Sequence, residues 1–390
     1  MNPPSSPSSF KKAQPDRGRK EIAATSAANM QAGEVIGKPQ RPDFSRQKWG
    51  VNPESLRPGA LVISLDFELH WGVRDHVPLD RRERARILSA RSIIPRLLDL
   101  FEEFSVHATW ATVGFLFAHS REEAHAFMPI RKPQYCESKL DPYHEELGRD
   151  ELDDPFHFAP TLIAEIAKRP GQEIGCHSFS HYYCIEEGQT VDEFEADLAS
   201  AVAIAAGAGY AMRSYVFPRN EVNTAYLPIL KRAGIRAYRG TESPNAKLPG
   251  SFAEQRRLHK RFARLLDSYA DIYGSQTFGW PETSTITSIA ASRYLRPYSA
   301  VLGPLQSFQH RRISQAMELA ARQGEVFHLW WHPEDFAMHC DENLCFLRSV
   351  LTTFDSCRSE HGMVSLSMAE IREYQHARGL ACAPFASETQ

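Results

Sequence analysis

Two acidic side chains and two histidines follow short apolar runs of the chain in a pattern suited to metal chemistry. Asp66 and Glu68 come directly after the run Ala-Leu-Val-Ile-Ser-Leu. Alternate residues of a strand point to the same side, so both carboxylates can project into one site. His177 and His181 follow the run Glu-Ile-Gly-Cys and are four residues apart, which places them on one face of a helical turn. One carboxylate and two imidazoles form a three-ligand site that leaves a position for water, as hydrolysis requires.

Two later segments supply further groups that suit the hydrolysis of an amide. Arg219 follows the run Ser-Tyr-Val-Phe-Pro, where its guanidinium can orient a carboxylate through a bidentate ion pair or form an ordinary salt bridge. His332 follows the run Phe-His-Leu-Trp-Trp, and a histidine there that binds no metal can protonate a leaving amine. Trp330 or Trp331 can contact a sugar ring or an acetyl methyl group, although core packing is the simpler explanation for both.

Apolar runs alternate with amphipathic segments along the chain, and this order predicts the elements that position these groups. Residues 81–104, for example, show helical periodicity, with Ile87, Ile94 and Leu97 on one face. The repeated strand–helix order predicts an α/β domain with a mostly parallel sheet, whose chemistry lies at the carboxyl ends of the strands. The predicted strands are 60–65, 106–113, 173–176, 214–217, 237–238, 326–331 and 364–366, and the main predicted helices are 81–104, 191–208, 306–323, 342–357 and 367–377.

Bulk composition restricts the partners and the location of the chain. Its 390 residues include 48 acidic and 45 basic side chains, so the net charge of -3 gives no reason to expect a nucleic-acid partner. The seven cysteines include no C-x-x-C pair, which argues against a disulfide framework and favours a reducing cytosol. No run of about 18 apolar residues predicts a membrane span, and residues 1–45 contain no apolar core of a signal peptide. We therefore predict a cytoplasmic protein.

Four motifs, taken in order, resemble those of the polysaccharide deacetylase family, also called the NodB-homology or carbohydrate esterase 4 group. The first family motif, usually T-F-D-D, is Ser-Leu-Asp-Phe-Glu at 64–68, and the second, H-[ST]-x-x-[HD], is matched in full at 177–181. The third, usually R-x-P-x, is Phe-Pro-Arg-Asn at 217–220, and the last is Leu-Trp-Trp-His at 329–332. The D-x-x-D-W element common in the family is not evident near residues 236–245.

The resemblance implies a distorted (β/α) barrel of the NodB-homology type, with a mostly parallel β core, and a role for each matched side chain. Asp66 would be the general base, Arg219 would steady it, and His332 would be the general acid. Because the D-x-x-D-W acid is missing, Glu334 or Asp335 is left to tune His332.

The resemblance also implies a metal ion and a substrate. The implied ligands of a divalent metal, zinc in this prediction, are Glu68, His177 and His181. A backbone N–H near Asn220 would stabilise the oxyanion, and Trp330 and Trp331 are the other candidate substrate contacts. The implied reaction removes the N-acetyl group from an amino sugar in an oligo- or polysaccharide or its precursor. A cytoplasmic location favours precursors and soluble oligosaccharides over finished cell wall.

The predicted domain organisation is simple. Residues 1–55 form a disordered Pro/Ser-rich tail, residues 56–380 form the deacetylase-like catalytic domain, and residues 381–390 form a second tail. Residues 241–305 are predicted to be a helical or loop insertion that can shape the pocket.

Two other functions fit the same motifs. A different C–N hydrolase, such as a ureide or cyclic-imide amidohydrolase, would share the site and differ only in its pocket. A non-catalytic carbohydrate-binding relative would have a decayed site, which the altered first and third motifs favour. Metal content distinguishes the non-catalytic relative from the two hydrolases, because a protein with a decayed site should purify without stoichiometric zinc.

Overall fold

The described part of the chain alternates strands with helices, as the sequence predicts. A computed structural model describes residues 57–241, 265–270, 274, 276–282 and 285–378. The predicted tails, residues 1–55 and 381–390, lie outside this part. The strands are β1 (Ala60–Phe67), β2 (Ala108–Thr112), β3 (Gln172–Cys176), β4 (Ser214–Tyr215), β5 (Ala237–Gly240), β6 (Thr287–Ala290), β7 (Arg293–Tyr294), β8 (Val326–Trp331) and β9 (Val364–Leu366). The helices are α1 (Arg81–Glu103), α2 (Arg121–Phe127), α3 (Pro160–Lys168), α4 (Val191–Gly207), α5 (Leu227–Arg232), α6 (Gln306–Gln323), α7 (Cys340–His361) and α8 (Met368–Ala377).

The nine described strands form one curled sheet in which every pair of neighbouring strands is parallel. Their order is β6-β5-β4-β3-β2-β1-β8-β7, and β9 pairs with the first residues of β1. Because β1 pairs with β2 on one edge and with β8 on the other, it is an interior strand of the sheet. All eight residues of β1 are buried, as expected for a parallel strand covered on both faces. The predicted α/β fold, a distorted (β/α) barrel with a parallel core, is confirmed.

Local sequence signals define the start and the buried face of the long helix α1. The Asp80 carboxylate accepts hydrogen bonds from the N–H groups of Arg82 at 2.8 Å and Glu83 at 2.9 Å, which caps the first turn. The buried residues of the helix include every apolar position that the periodicity predicts: Ile87, Ile94, Leu97, Leu98 and Leu100. The predicted helix is therefore confirmed, and its apolar face packs against the sheet core.

Residues 287–294 differ from the prediction of a helical or loop insertion. They contain β6 and β7, which extend the sheet beside β5 and β8. These strands have four and two residues, and β6 alternates buried and exposed positions, so no apolar run marks them in the sequence. Their pairing depends on the neighbouring strands, a tertiary effect that local propensity does not report.

The described residues bear on two features that the sequence analysis used to predict location: membrane spans and disulfides. No described helix is long and apolar enough to cross a membrane. The six cysteines of the described residues are free. The cytoplasmic location stays a prediction.

Gly59→Ala is expected to destabilise the fold. A Cβ on Gly59 would lie 2.6 Å from Ala321 Cα and 2.7 Å from the Ala320 carbonyl oxygen. The Gly59 carbonyl also accepts the Val364 N–H at 2.9 Å, so the backbone cannot move away freely. We expect a loss of about 1–3 kcal/mol in the free energy of unfolding, measured by urea denaturation. Gly279→Ala is the control, because its Cβ would meet no atom within 4 Å; equal stability of the two variants would contradict this packing.

Candidate active site

A cleft of about 280 Å³ lies at the carboxyl ends of the strands. Parallel strands end at one edge of the sheet, so side chains that are distant in the sequence meet there. The residues that border the cleft include Asp66, Glu68, His181, Asn220, Trp330 and His332. A larger hollow of about 760 Å³, beside Arg213 and Arg236 at the amino ends of β4 and β5, contains none of these groups.

The structure brings the three predicted metal ligands together. Glu68 directly follows β1, and its Oε1 lies 2.8 Å from His177 Nε2 and 3.2 Å from His181 Nε2. All three side chains are buried, and one ligand atom from each lies within 4.8 Å of the other two. The three donor atoms are therefore close enough to bind one ion.

The hydrogen bonds of the two histidines fit a cation at this position. His177 Nδ1–H donates to the Val216 carbonyl at 2.8 Å, which leaves the lone pair of Nε2 facing Glu68. A lone pair and a carboxylate oxygen 2.8 Å apart repel unless a proton or a metal ion lies between them. On His181, Nδ1 is buried without a hydrogen-bond partner in the described residues, and burial lowers the pKa of this imidazole. Imidazoles and a carboxylate in this arrangement are a donor set for a divalent ion such as zinc.

The turn that carries Glu68 is built around its carboxylate. Leu69 has a φ of 51°, and its N–H donates to Glu334 Oε1 at 2.6 Å. A Cβ on Gly72 would lie 1.5 Å from Glu68 Oε2, so only glycine leaves room for the carboxylate. Burial opposes the ionisation of Glu68, but the surrounding imidazoles outweigh it and hold the pKa of this carboxyl well below its usual range. Burial and the charge of Glu68 raise the pKa of Glu334 to about 7.

The segment 177–181 is a loop and not the helical turn that its spacing predicts. Ser178 and His181 have φ values of 61° and 58°, in the left-handed region, and this loop conformation brings the two imidazoles together. Asp197, which is buried on α4, accepts the Phe179 N–H at 2.7 Å and so holds the loop in place. Burial raises the pKa of Asp197 to about 6. The two histidines thus meet as predicted, but through a different backbone.

Asp66 is held by Arg239 and not by Arg219, so the predicted role of Arg219 is wrong. Arg239 Nη1 and Nη2 donate to the two carboxylate oxygens of Asp66, each at 2.6 Å. The same guanidinium donates from Nη1 to Ser64 Oγ at 3.0 Å and from Nε to Asn220 Oδ1 at 2.7 Å. This buried bidentate pair orients the carboxylate and supplies its counter-charge.

Arg219 contacts other acids because the chain turns directly after β4. Its φ of 57° lies in the left-handed region. Its guanidinium donates to Asp75 Oδ2 at 2.7 Å and to Glu186 Oε1 at 2.8 Å, and Cζ lies 3.7 Å from the ring centroid of Tyr183. The sequence did contain a signal for Arg239, because this residue directly follows the predicted strand 237–238. A charged side chain at the end of a parallel strand faces the site.

His332 directly follows β8, and its two ring nitrogens have different roles. Nδ1 donates to Asp335 Oδ2 at 2.9 Å, and the Tyr294 hydroxyl donates to the same oxygen at 2.6 Å. Nε2 lies 3.9 Å from Asp66 Oδ2 and 3.8 Å from Glu68 Oε1. Burial alone would lower the pKa of His332, but Asp335 and the two other carboxylates outweigh it and raise the pKa to about 10. Of the two acids predicted for this role, Asp335 is the one that contacts His332 and favours its protonated form.

The three predicted substrate contacts have different positions. Trp330 borders the cleft, and Arg239 Cζ lies 4.4 Å from its ring centroid. Trp331 points to the other side of β8 and is fully buried in the core, so its predicted substrate contact is wrong. Asn220 borders the cleft, but its N–H donates to the Phe217 carbonyl at 2.9 Å. The Asn220 N–H is therefore already bonded, and the use of a neighbouring backbone N–H for the oxyanion stays a prediction.

Residues 85–238 match the family model described as polysaccharide deacetylase. This segment of the chain resembles the polysaccharide deacetylase family. The matched residues contain the second and third motifs, whereas the first and last motifs, at 64–68 and 329–332, lie outside them. The fold brings all four motifs together at one edge of the sheet.

The chain is similar to several solved structures at low sequence identity. A protein from Mycobacterium smegmatis that is assigned to the polysaccharide deacetylases is 15% identical, with a TM-score of 0.51 over 87% of this chain and 98% of its own. A protein from Pseudomonas aeruginosa PAO1 with the same assignment is 12% identical, with a TM-score of 0.48 over 84% and 92%. The Puue allantoinase is 11% identical, with a TM-score of 0.46 over 90% and 100%. At 15% identity the first likeness shows the fold alone, and no curated protein matches the sequence.

Gly72→Ala is expected to weaken metal binding without unfolding the protein. The three atoms nearest to the new Cβ all belong to the Glu68 side chain, so this ligand moves while the backbone stays in place. We expect zinc affinity to fall by about tenfold or more, measured by competition with a chromophoric chelator. Gly279→Ala is again the control, and an unchanged affinity of Gly72→Ala would contradict the placement of Glu68 in the metal site.

Proposed function

We propose that this chain is a metal-dependent hydrolase that removes the N-acetyl group from an amino sugar in an oligosaccharide, a polysaccharide or its precursor. The observation that carries the proposal is the position of His332, whose Nε2 lies 3.9 Å from Asp66 Oδ2 and 3.8 Å from Glu68 Oε1. An acid, a base and a metal ligand therefore border one cleft. Amide hydrolysis needs these groups together, because water must lose a proton and the leaving nitrogen must gain one. The match of residues 85–238 to the polysaccharide deacetylase model supports an acetylated carbohydrate as the substrate class.

Glu68, His177 and His181 would hold the metal ion, and zinc is the ion we propose. Two imidazoles and one carboxylate are a frequent donor set of catalytic zinc. When bound, such an ion would polarise the amide carbonyl and lower the pKa of a water molecule to about 7.

Asp66 and His332 would move the protons. Arg239 occupies one lone pair of each Asp66 oxygen, and the remaining lone pairs can accept a proton from water. His332 keeps Nδ1 bonded to Asp335, so Nε2 is the atom that can donate to the departing amine. The products are acetate and an amino sugar.

The size of the cleft suits a small substrate group at the bond that is hydrolysed. Its volume of about 280 Å³ is at the lower end of the range of small-molecule pockets, which suits one sugar ring with its acetamide. Trp330 provides an indole at the border of the cleft, and its half-buried ring can pack against the sugar.

Asp66→Asn is expected to lower kcat by at least about 100-fold and to leave metal content unchanged, because it removes the proton acceptor and keeps the three metal ligands. Acetate release from N-acetylglucosamine oligomers measures the rate, and elemental analysis measures the metal. Asp192→Asn, at an exposed position whose side chain is 67% accessible, is the matched control and should retain full activity.

Two results would contradict the proposal. Hydrolysis of ureides in place of acetylated sugars would assign the chain to another class of C–N hydrolase on the same scaffold. Purification without stoichiometric zinc, together with no turnover of either class, would indicate a non-catalytic carbohydrate-binding relative.

Asp335→Asn is expected to move the alkaline limb of the pH–rate profile to lower pH. His332 must be protonated to donate its proton, so the rate falls as the pH rises through its pKa. The charge of Asp335 raises this pKa, and its removal should lower the pKa by about one to three units. Asparagine can still accept the Nδ1 hydrogen bond, so kcat measured across the alkaline range tests the charge separately from the orientation. An alkaline limb that does not move would assign it to another group.

A further inference from the structure

Three chelating side chains outside the catalytic cleft also converge. His70, Glu145 and His157 each offer one ligand atom, and these atoms lie within 4.8 Å of one another. His70 belongs to the turn after β1, whereas Glu145 and His157 belong to the long connection between α2 and α3. Both histidines are 2% exposed. None of the three residues borders the catalytic cleft.

Two ring nitrogens of this cluster lack the partners that buried polar atoms need. His157 Nε2 and His70 Nδ1 are buried without a hydrogen-bond partner in the described residues. Leaving such atoms unsatisfied is unfavourable, so most proteins pair them. Glu83 Oε1 lies 4.0 Å from His70 Nδ1, too far for a hydrogen bond, and it accepts from Arg86 Nη2 at 2.6 Å instead. A bound cation would give His157 Nε2 the partner that it lacks.

Asp154 orients His157 as a metal ligand. The Nδ1–H of His157 donates to Asp154 Oδ2 at 2.8 Å and to Oδ1 at 3.0 Å, which leaves a lone pair on Nε2. The Gly148 N–H donates to Asp154 Oδ2 at 2.9 Å and holds the carboxylate in place. A carboxylate behind the second ring nitrogen is the usual support of a histidine that binds zinc.

We propose that His70, Glu145 and His157 bind a second divalent cation, and that this cation is zinc. Two imidazoles and a carboxylate suit zinc, whereas magnesium and calcium prefer oxygen donors.

The second cation would join the turn after Glu68 to the connection that precedes α3. These two segments already contact each other: the Trp71 indole N–H donates to the His157 carbonyl at 3.1 Å, and the His70 N–H donates to the Phe156 carbonyl at 3.3 Å. Because His70 is two residues beyond Glu68, an ion at this position would restrain the turn that carries the catalytic ligand. The second site therefore has a structural role, separate from the reaction.

The zinc content of the full chain tests the proposal. After equilibrium dialysis against zinc, elemental analysis should find two equivalents in the wild type and one in each of Glu145→Gln, His157→Gln and His177→Ala. The Glu145→Gln variant carries the test if His157→Gln fails to fold, since Glu145 is only partly buried and glutamine preserves its shape. His144→Ala is the control, because this neighbouring side chain is 76% exposed, and it should retain two equivalents.

Thermal unfolding gives a second, activity-independent measurement. In the His177→Ala background, added zinc should raise the melting temperature, and the further change Glu145→Gln should abolish that rise. Two equivalents in Glu145→Gln and His157→Gln would overturn the proposal. A single equivalent in the wild type that disappears in His177→Ala would also overturn it, and would leave the proposed catalytic centre intact.

Discussion

Glu68 Oε1 lies within 3.2 Å of two imidazole nitrogens, and all three side chains are buried. Because these groups are buried, their charge must be balanced from within the protein or by a bound cation. Much of the surrounding structure maintains this contact. Gly72 leaves space for the carboxylate, the Val216 carbonyl sets the tautomer of His177, and Asp197 holds the loop between the two histidines.

The negative charges of the acids around the cleft are balanced by different groups, and this difference distinguishes the roles of the acids. Asp66 has the guanidinium of Arg239, and Asp335 has the imidazole of His332. Glu334 has no cation within ion-pair distance in the described residues, and the charge of Glu68 helps to raise its pKa to about 7. A divalent ion on Glu68 would offset that repulsion, so metal binding and the ionisation of Glu334 are coupled electrostatically.

The sequence predicts where the site residues lie better than it predicts which side chains they contact. Parallel strands require residues at their carboxyl ends to meet, so Asp66, Glu68 and His332 were placed correctly from apolar runs alone. Which arginine reaches Asp66 depends on how the chain turns after β4 and β5, and a local pattern does not contain that information. Strand alternation separates Trp330 from Trp331, but the curvature of the sheet decides which face borders the cleft. The short strands β6 and β7 were not predicted, because they are stabilised by the neighbouring strands more than by their own residues.

The partner of Asp66 also bears on how the altered third motif is interpreted. The third motif departs from the usual order, with proline before Arg219, and that departure favoured a decayed site when the sequence was considered alone. In the structure Arg219 pairs with Asp75, and Arg239 from the neighbouring strand provides the bidentate contact to Asp66. A proton acceptor needs a fixed orientation and a nearby positive charge, and neither depends on the strand that supplies the guanidinium. The altered third motif therefore does not by itself argue against the proposed function, because Arg239 makes the contact to Asp66 that was predicted for Arg219.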